Sequence, residues 1–60
     1  MKGKWKVESN TINGERMYAA VRIKDVNAVD HSGNREYGSE YTDNREFVQA
    51  LCDYMNEAEQ

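Results

Sequence analysis

Residues 43–56, DNREFVQALCDYMN, decide the fold of this chain. Their apolar side chains recur at three- and four-residue intervals, which is the spacing of one face of an α-helix. They are Phe47, Val48, Ala50, Leu51, Tyr54 and Met55. Asp43 and Glu46 form a variant of the capping box, and Thr42 is an alternative cap one residue earlier. We predict a helix over residues 43–56, ending there because the following acidic residues oppose the helix dipole.

Two strands are predicted near the start of the chain. Residues 4–9 alternate between lysines on one face and Trp5 and Val7 on the other. The Asn13-Gly14 pair tolerates positive φ and predicts a tight hairpin turn. Residues 16–24 form the second strand. We place its face of Met17, Ala19, Val21 and Ile23 in the core, with the face of Tyr18 and Ala20 as the alternative buried set.

A third strand is predicted over residues 35–41, after a polar loop over residues 25–34, and Gly38 marks a bulge or an edge position in it. The fold class is therefore α+β: a three-stranded antiparallel meander with one C-terminal helix on one face (βββα), in a single domain over residues 1–60. The predicted core is Trp5, Val7, Val21, Ile23, Tyr41, Phe47, Leu51, Tyr54 and Met55. The other sheet face is left to solvent or to a partner.

Size and composition restrict the function. The 60 residues carry 8 Lys+Arg against 11 Asp+Glu, a net charge of −3, and the mean hydropathy is −1.02. A chain this short buries only about 60% of its unfolded surface, which argues against an enzyme with a deep pocket. No apolar run is long enough to span a membrane. The single cysteine, Cys52, forms no internal disulfide and suits a reducing compartment, so we expect a cytoplasmic location.

The chain offers little for catalysis or metal binding. One Cys and one His do not fill a structural zinc site. Asp30, His31 and Ser32 are adjacent, so their side chains diverge along a loop instead of meeting as a catalytic triad. A calcium loop that starts at Asp25 fails because Val29 stands at its fifth position. We therefore expect no catalytic residue, no metal, no cofactor, no small-molecule substrate and no enzymatic activity.

The charges are separated along the chain: residues 1–24 are basic and residues 25–60 are acidic. A candidate binding surface lies on the exposed face of the hairpin and comprises Lys4, Lys6, Tyr18, Arg22 and Lys24. A candidate functional loop contains Asp30, His31, Asn34 and Arg35. Our first hypothesis is a protein-interaction module that homodimerises through a sheet edge or the uncovered face. The alternative is an accessory DNA-binding module that uses the basic hairpin face.

The order of several motifs resembles small uncharacterised bacterial and phage-associated βββα proteins. The motifs are Trp5-Lys6-Val7, Met17-Tyr18, Arg22, the segment 30–37 and a capped helix that closes at Asn56. This resemblance implies no activity. A looser, architectural resemblance is to the arm-type DNA-binding domain of tyrosine recombinases, which places its sheet in the major groove. It implies DNA contacts at Lys4, Lys6, Tyr18 and Arg22, although the acidic composition departs from that family.

Overall fold

The computed structural model describes residues 2–28 and 32–59, and it shows one three-stranded antiparallel sheet with one C-terminal helix. The strands are β1 (Lys6–Ile12), β2 (Glu15–Ile23) and β3 (Arg35–Tyr37), in the sheet order β1-β2-β3. The helix is α1 (Arg45–Ala58), and a short 3₁₀ turn (Ser32–Asn34) precedes β3. The βββα fold predicted from the sequence is confirmed.

A two-residue turn joins β1 to β2. Asn13 and Gly14 both have positive φ, 52° and 82°, which matches the right-handed twist of the paired strands. The turn sets Ile12 opposite Glu15 and carries the register back to Lys6 opposite Val21. Residues that face each other across the ladder share one side of the sheet, so this turn decides which side chains meet the helix.

Strand β3 is shorter than predicted because the ladder bulges after Tyr37. Tyr37 pairs with Val21, whereas the next bridge joins Thr42 to Tyr18, so four residues on one side face two on the other. The Ser39 hydroxyl accepts the Ala20 N–H at 2.9 Å, and the Gly38 N–H donates to the Ala20 carbonyl at 2.9 Å. The bulge therefore keeps its hydrogen bonds while interrupting the strand.

The assignment of the two faces of β2 was wrong. Ala20, not Val21, belongs to the core beneath the helix, and Tyr18 packs against that core. The predicted core residues Val21, Ile23 and Tyr41 lie on the opposite side of the sheet. Apolar residues occur on both faces of β2, so alternation alone does not choose between them. The observed core is Trp5, Ala20, Val48 and Cys52, with Val7, Tyr18, Leu51 and Met55 packed around it.

The helix contacts the sheet with a narrower stripe than predicted. Val48 and Cys52 are fully buried, whereas Phe47 and Tyr54, which we placed in the core, are 56% and 70% exposed. The apolar residues of the helix cover a wider arc than the face that contacts the sheet, so those at the margin of the stripe are exposed to solvent. Among the described residues, no helix is both long and apolar enough to cross a membrane.

The helix boundaries also differ from those predicted. The N-cap is Asn44, whose Oδ1 accepts the Phe47 N–H at 3.0 Å, in place of Asp43 or Thr42. Thr42, two residues before the N-cap, also contributes, because its hydroxyl accepts the Asn44 N–H at 3.4 Å. At the other end α1 continues to Ala58. The residue after it, Glu59, has a basic partner on the sheet that favours this longer helix.

We predict that Gly38→Ala destabilises the fold by about 1–3 kcal/mol, the usual result of overpacking. A Cβ at this position would lie 2.8 Å from the Trp5 ring and 2.9 Å from the Met55 methyl. Gly3→Ala is the matched control: its Cβ meets Ile23 at 3.5 Å, an ordinary contact, and stability should change by less than about 0.5 kcal/mol. Urea denaturation measures both. Equal stability of the two variants would contradict the close packing at Gly38.

Candidate functional site

The five residues of the candidate binding surface do not share one face. Lys4, Lys6 and Lys24 are exposed, whereas Tyr18 is half-buried against the core and Arg22 is only 6% exposed. The register explains the separation: Val7 pairs with Ala20, so even-numbered residues of β2 share the helix side with odd-numbered residues of β1. The prediction of a single basic and aromatic hairpin face was therefore wrong.

Arg22 lies at the centre of a charged cluster on the helix side of the sheet. Its guanidinium carbon is 4.4 Å from the centroid of the Trp5 ring, a cation–π distance. Its Nε donates to Glu36 at 2.8 Å, and its NH1 donates to Glu59 at 2.6 Å. The Glu36 hydrogen bond raises the pKa of Arg22, and the Arg22 hydrogen bond lowers the pKa of Glu36. Arg22 thus links β2 to β3 and to the end of α1.

A cavity of about 470 Å³ opens beside this cluster. It is lined by Lys2, Gly3, Lys4, Arg22, Asn56 and Glu59. The charge of Arg22 is already offset by its two carboxylate partners, and the Lys2 ammonium lies 3.8 Å from Glu36. The lining thus carries three cationic side chains and one carboxylate, and it holds no nucleophile paired with a base.

Two further features bear on chemistry. Within residues 2–28 and 32–59, no group of three or more His, Cys, Asp or Glu is placed to hold a metal ion. Cys52 is buried in the core, and burial raises the pKa of its thiol. A buried, protonated thiol acts as a small apolar side chain. Cys52 therefore packs in the core between the helix and the sheet.

The candidate functional loop contributes structural contacts where it is described. Asn34 is 6% exposed, and its side-chain amide accepts the Asp25 N–H at 3.1 Å and donates to the Asp25 carbonyl at 3.0 Å. Arg35 NH1 lies 3.6 Å from a Glu8 carboxylate oxygen, and both residues are on the side of the sheet that faces away from the helix. Asn34 therefore closes the loop onto the sheet, and Arg35 belongs to another surface. The predicted loop members Asp30 and His31 lie outside the described residues.

Asn56 holds the backbone of Trp5 in the same way. Its Oδ1 accepts the Trp5 N–H at 2.7 Å, and its Nδ2 donates to the Trp5 carbonyl at 2.9 Å. A carboxamide presents the same donor and acceptor as a peptide unit, so the helix supplies the pairing that a further strand would give. Sequence reasoning missed this role, although the position of Asn56 at the predicted helix end was a signal.

The outer edge of β1 is closed at both ends. Alternate residues of an edge strand direct their N–H and C=O groups outward. Trp5 continues this set and is paired by Asn56, and the Thr11 N–H is taken by the Asn10 side chain at 3.0 Å. These side chains occupy the two ends of the edge, which limits strand addition to the residues between Trp5 and Thr11.

The sheet side opposite the helix, which we call the open sheet face, is aromatic and apolar. Its members are Lys6, Glu8, Asn10, Ile12, Glu15, Met17, Ala19, Val21, Ile23, Arg35, Tyr37 and Tyr41. At its centre Glu8 accepts hydrogen bonds from the hydroxyls of Tyr37, at 2.9 Å, and of Tyr41. The rings of Tyr37 and Tyr41 are 6.2 Å apart and tilted by 48°. The carboxylate is thus held within the face by tyrosines and by the Arg35 ion pair.

The outward side of α1 carries a second apolar feature. We call Phe47, Ala50 and Tyr54 the aromatic stripe; all three are exposed and occupy one side of the helix. Next to it we call Glu46, Asp53 and Glu57 the acid row; all three are exposed. The molecule therefore exposes large apolar side chains on both layers, Ile12 and Tyr37 on the open sheet face and Phe47 and Tyr54 on α1.

We predict that the Tyr41 hydroxyl titrates near pH 12. The hydrogen bond to Glu8, with burial, raises the pKa of Tyr41 from 10.0 to about 12. The unfolded chain releases this proton near its ordinary pKa. The contribution of the protonated Tyr41 hydroxyl to the stability of the folded chain is therefore complete below pH 10 and is lost as the pH rises to about 12. NMR titration of the tyrosine ring carbons measures the pKa. Glu8→Gln should bring it back toward 10, and an unchanged pKa in that variant would contradict the assigned cause.

Comparison with models of known protein families, with curated proteins and with solved structures finds no match to this chain.

Proposed function

We propose that this chain is a non-enzymatic protein-interaction module that self-associates through the open sheet face. The observation that supports this most directly is the exposure of two large apolar side chains on this face, Tyr37 at 48% and Ile12 at 37%, on a very polar chain. Met17, Ala19, Val21 and Ile23, which the pattern suggested for the core, also lie on the side that the helix leaves uncovered. Ala19 and Val21 are buried there and Met17 and Ile23 are half-buried, so Tyr37 and Ile12 supply most of the exposed apolar surface.

The size of the face suits a dimer. The molecule is a slab of 34 × 25 × 11 Å, so its broad side offers roughly 850 Å², close to the roughly 800 Å² per partner of a standard interface. The accessible surface of 4438 Å² also exceeds the roughly 4,000 Å² usual for a monomer of 7.0 kDa. Pairing two such slabs would bury the excess apolar surface and stabilise a small domain.

The charge of the face favours a second copy as the occupant. Its ionic residues balance, because Lys6 and Arg35 stand against Glu8 and Glu15. Two copies can therefore approach without net repulsion. The outward side of the helix carries the acid row and would repel its own copy. Of the two sheet edges that we also considered as a dimer contact, the β1 edge is occupied by side chains at both ends. The open sheet face is thus the better route to a homodimer.

The DNA-binding alternative receives less support from the same geometry. Two of the residues that it needs, Tyr18 and Arg22, face the helix, and Arg22 is bound by two carboxylates. The lysines that stay exposed belong to a chain of net charge −3. We also propose a cytoplasmic location, on the ground that the one cysteine is buried as a thiol.

We predict that Tyr37→Ala weakens dimerisation at least tenfold, because it removes an exposed aromatic from the centre of the interface. Tyr54→Ala is the matched control: it truncates a tyrosine on the other layer that is even more exposed, at 70%, and should leave dimerisation unchanged. Sedimentation velocity over a dilution series measures both. Circular dichroism and thermal unfolding check that each variant stays folded.

The possible results separate the alternatives. A native chain that stays monomeric at millimolar concentration overturns self-association. A dimer lost in Tyr54→Ala and kept in Tyr37→Ala would move the interface to the helix. An NMR titration of the same samples with a short DNA duplex tests the alternative function: salt-sensitive shifts at Lys4 and Lys6 would support it over the dimer.

A further inference from the structure

The aromatic stripe of α1 is a second interaction surface, separate from the one assigned above. Phe47 and Tyr54 are seven residues apart, which places them on the same side of the helix about 10 Å from each other. They are the two most exposed large apolar side chains among the described residues, at 56% and 70%. Ala50 lies between them on the helix surface and is also exposed. Together the two rings expose roughly 250 Å².

The acid row borders the stripe along its length. Glu46, Asp53 and Glu57 recur at the same helical spacing, so the three carboxylates form a line parallel to the two rings. In the part of the chain that the structure describes, none of them forms an ion pair; Asp53 accepts one hydrogen bond, from Gln49, at 3.1 Å. The carboxylates that do bind cations, Glu8, Glu36 and Glu59, lie elsewhere.

We propose that the aromatic stripe and the acid row together bind a basic amphipathic segment of another protein. Such a segment presents apolar side chains to Phe47 and Tyr54 and its Lys or Arg side chains to the acid row. The negative charge of the acid row favours a basic segment over other partners. A second copy that offered its own helix would set two acid rows against each other, and an acidic partner would meet the same repulsion. The geometry is that of one helix lying along another.

This inference is independent of self-association, because the open sheet face and the aromatic stripe lie on opposite layers of the slab. A dimer formed through the sheet leaves both outward helix surfaces free. It would therefore offer two equivalent sites to basic segments.

The probe is a pair of synthetic peptides of equal length, charge and composition. In one, Leu and Lys follow a helical amphipathic pattern; in the other, the same residues are scrambled. Titration into the ¹⁵N-labelled chain should shift the amide signals of Phe47, Ala50 and Tyr54 with the amphipathic peptide. The affinity should fall as salt is raised, because the acid row is exposed. The scrambled peptide should bind at least tenfold more weakly.

Variants assign the binding to the two features. Tyr54→Ala should weaken the amphipathic peptide at least tenfold, and Glu57→Gln should weaken it and reduce the salt dependence. Tyr37→Ala, on the open sheet face, should leave it unchanged. Equal binding of the two peptides, or native affinity in Tyr54→Ala, would show attraction by charge alone and overturn the proposal. Loss of dimerisation in Tyr37→Ala with peptide binding retained keeps the two surfaces distinct.

Discussion

The environment of the Trp5 indole joins every element of this fold. Arg22 of β2 stacks over the ring, Gly38 of the bulge approaches it so closely that no Cβ fits between, and Asn56 of the helix pairs with its backbone. A single aromatic side chain thus connects the first strand to the second, to the bulge and to the helix. In a domain with so small a core, this contact supplies much of the burial that fixes the helix on one side of the sheet.

The elements could be predicted from the sequence because their signals are local. The Asn13-Gly14 turn and the apolar periodicity of the helix depend on neighbouring residues only. The face of β2 was not predictable in the same way, because Ala20 and Val21 are both apolar and either could lie beneath a helix. In the structure Ala20 lies beneath the helix, where its small side chain leaves room for Val48. Val21 therefore lies on the other side of the sheet.

The candidate site was predicted less well, for the same physical reason. Because the face of β2 that includes Ala20 lies towards the helix, Arg22 lies in a cluster with two glutamates and not on the exposed basic surface that we predicted. Asn34 and Asn56 pair with backbone groups that are distant in sequence or across a loop, so local sequence does not identify their partners. The same orientation places Met17, Ala19, Val21 and Ile23 on the side away from the helix, and the apolar helix residues that do not contact the sheet add a second surface.

The proposed self-association depends on this orientation of β2, and a nuclear Overhauser spectrum of the native chain tests it most directly. The account predicts cross-peaks from the Ala20 methyl to the Val48 methyls, together with cross-peaks from Val21 to the Tyr37 ring and none from Val21 to the helix. Cross-peaks from Val21 or Ile23 to Val48 or Leu51 would place the other face of β2 beneath the helix. That result would contradict the fold described and remove the open sheet face with it.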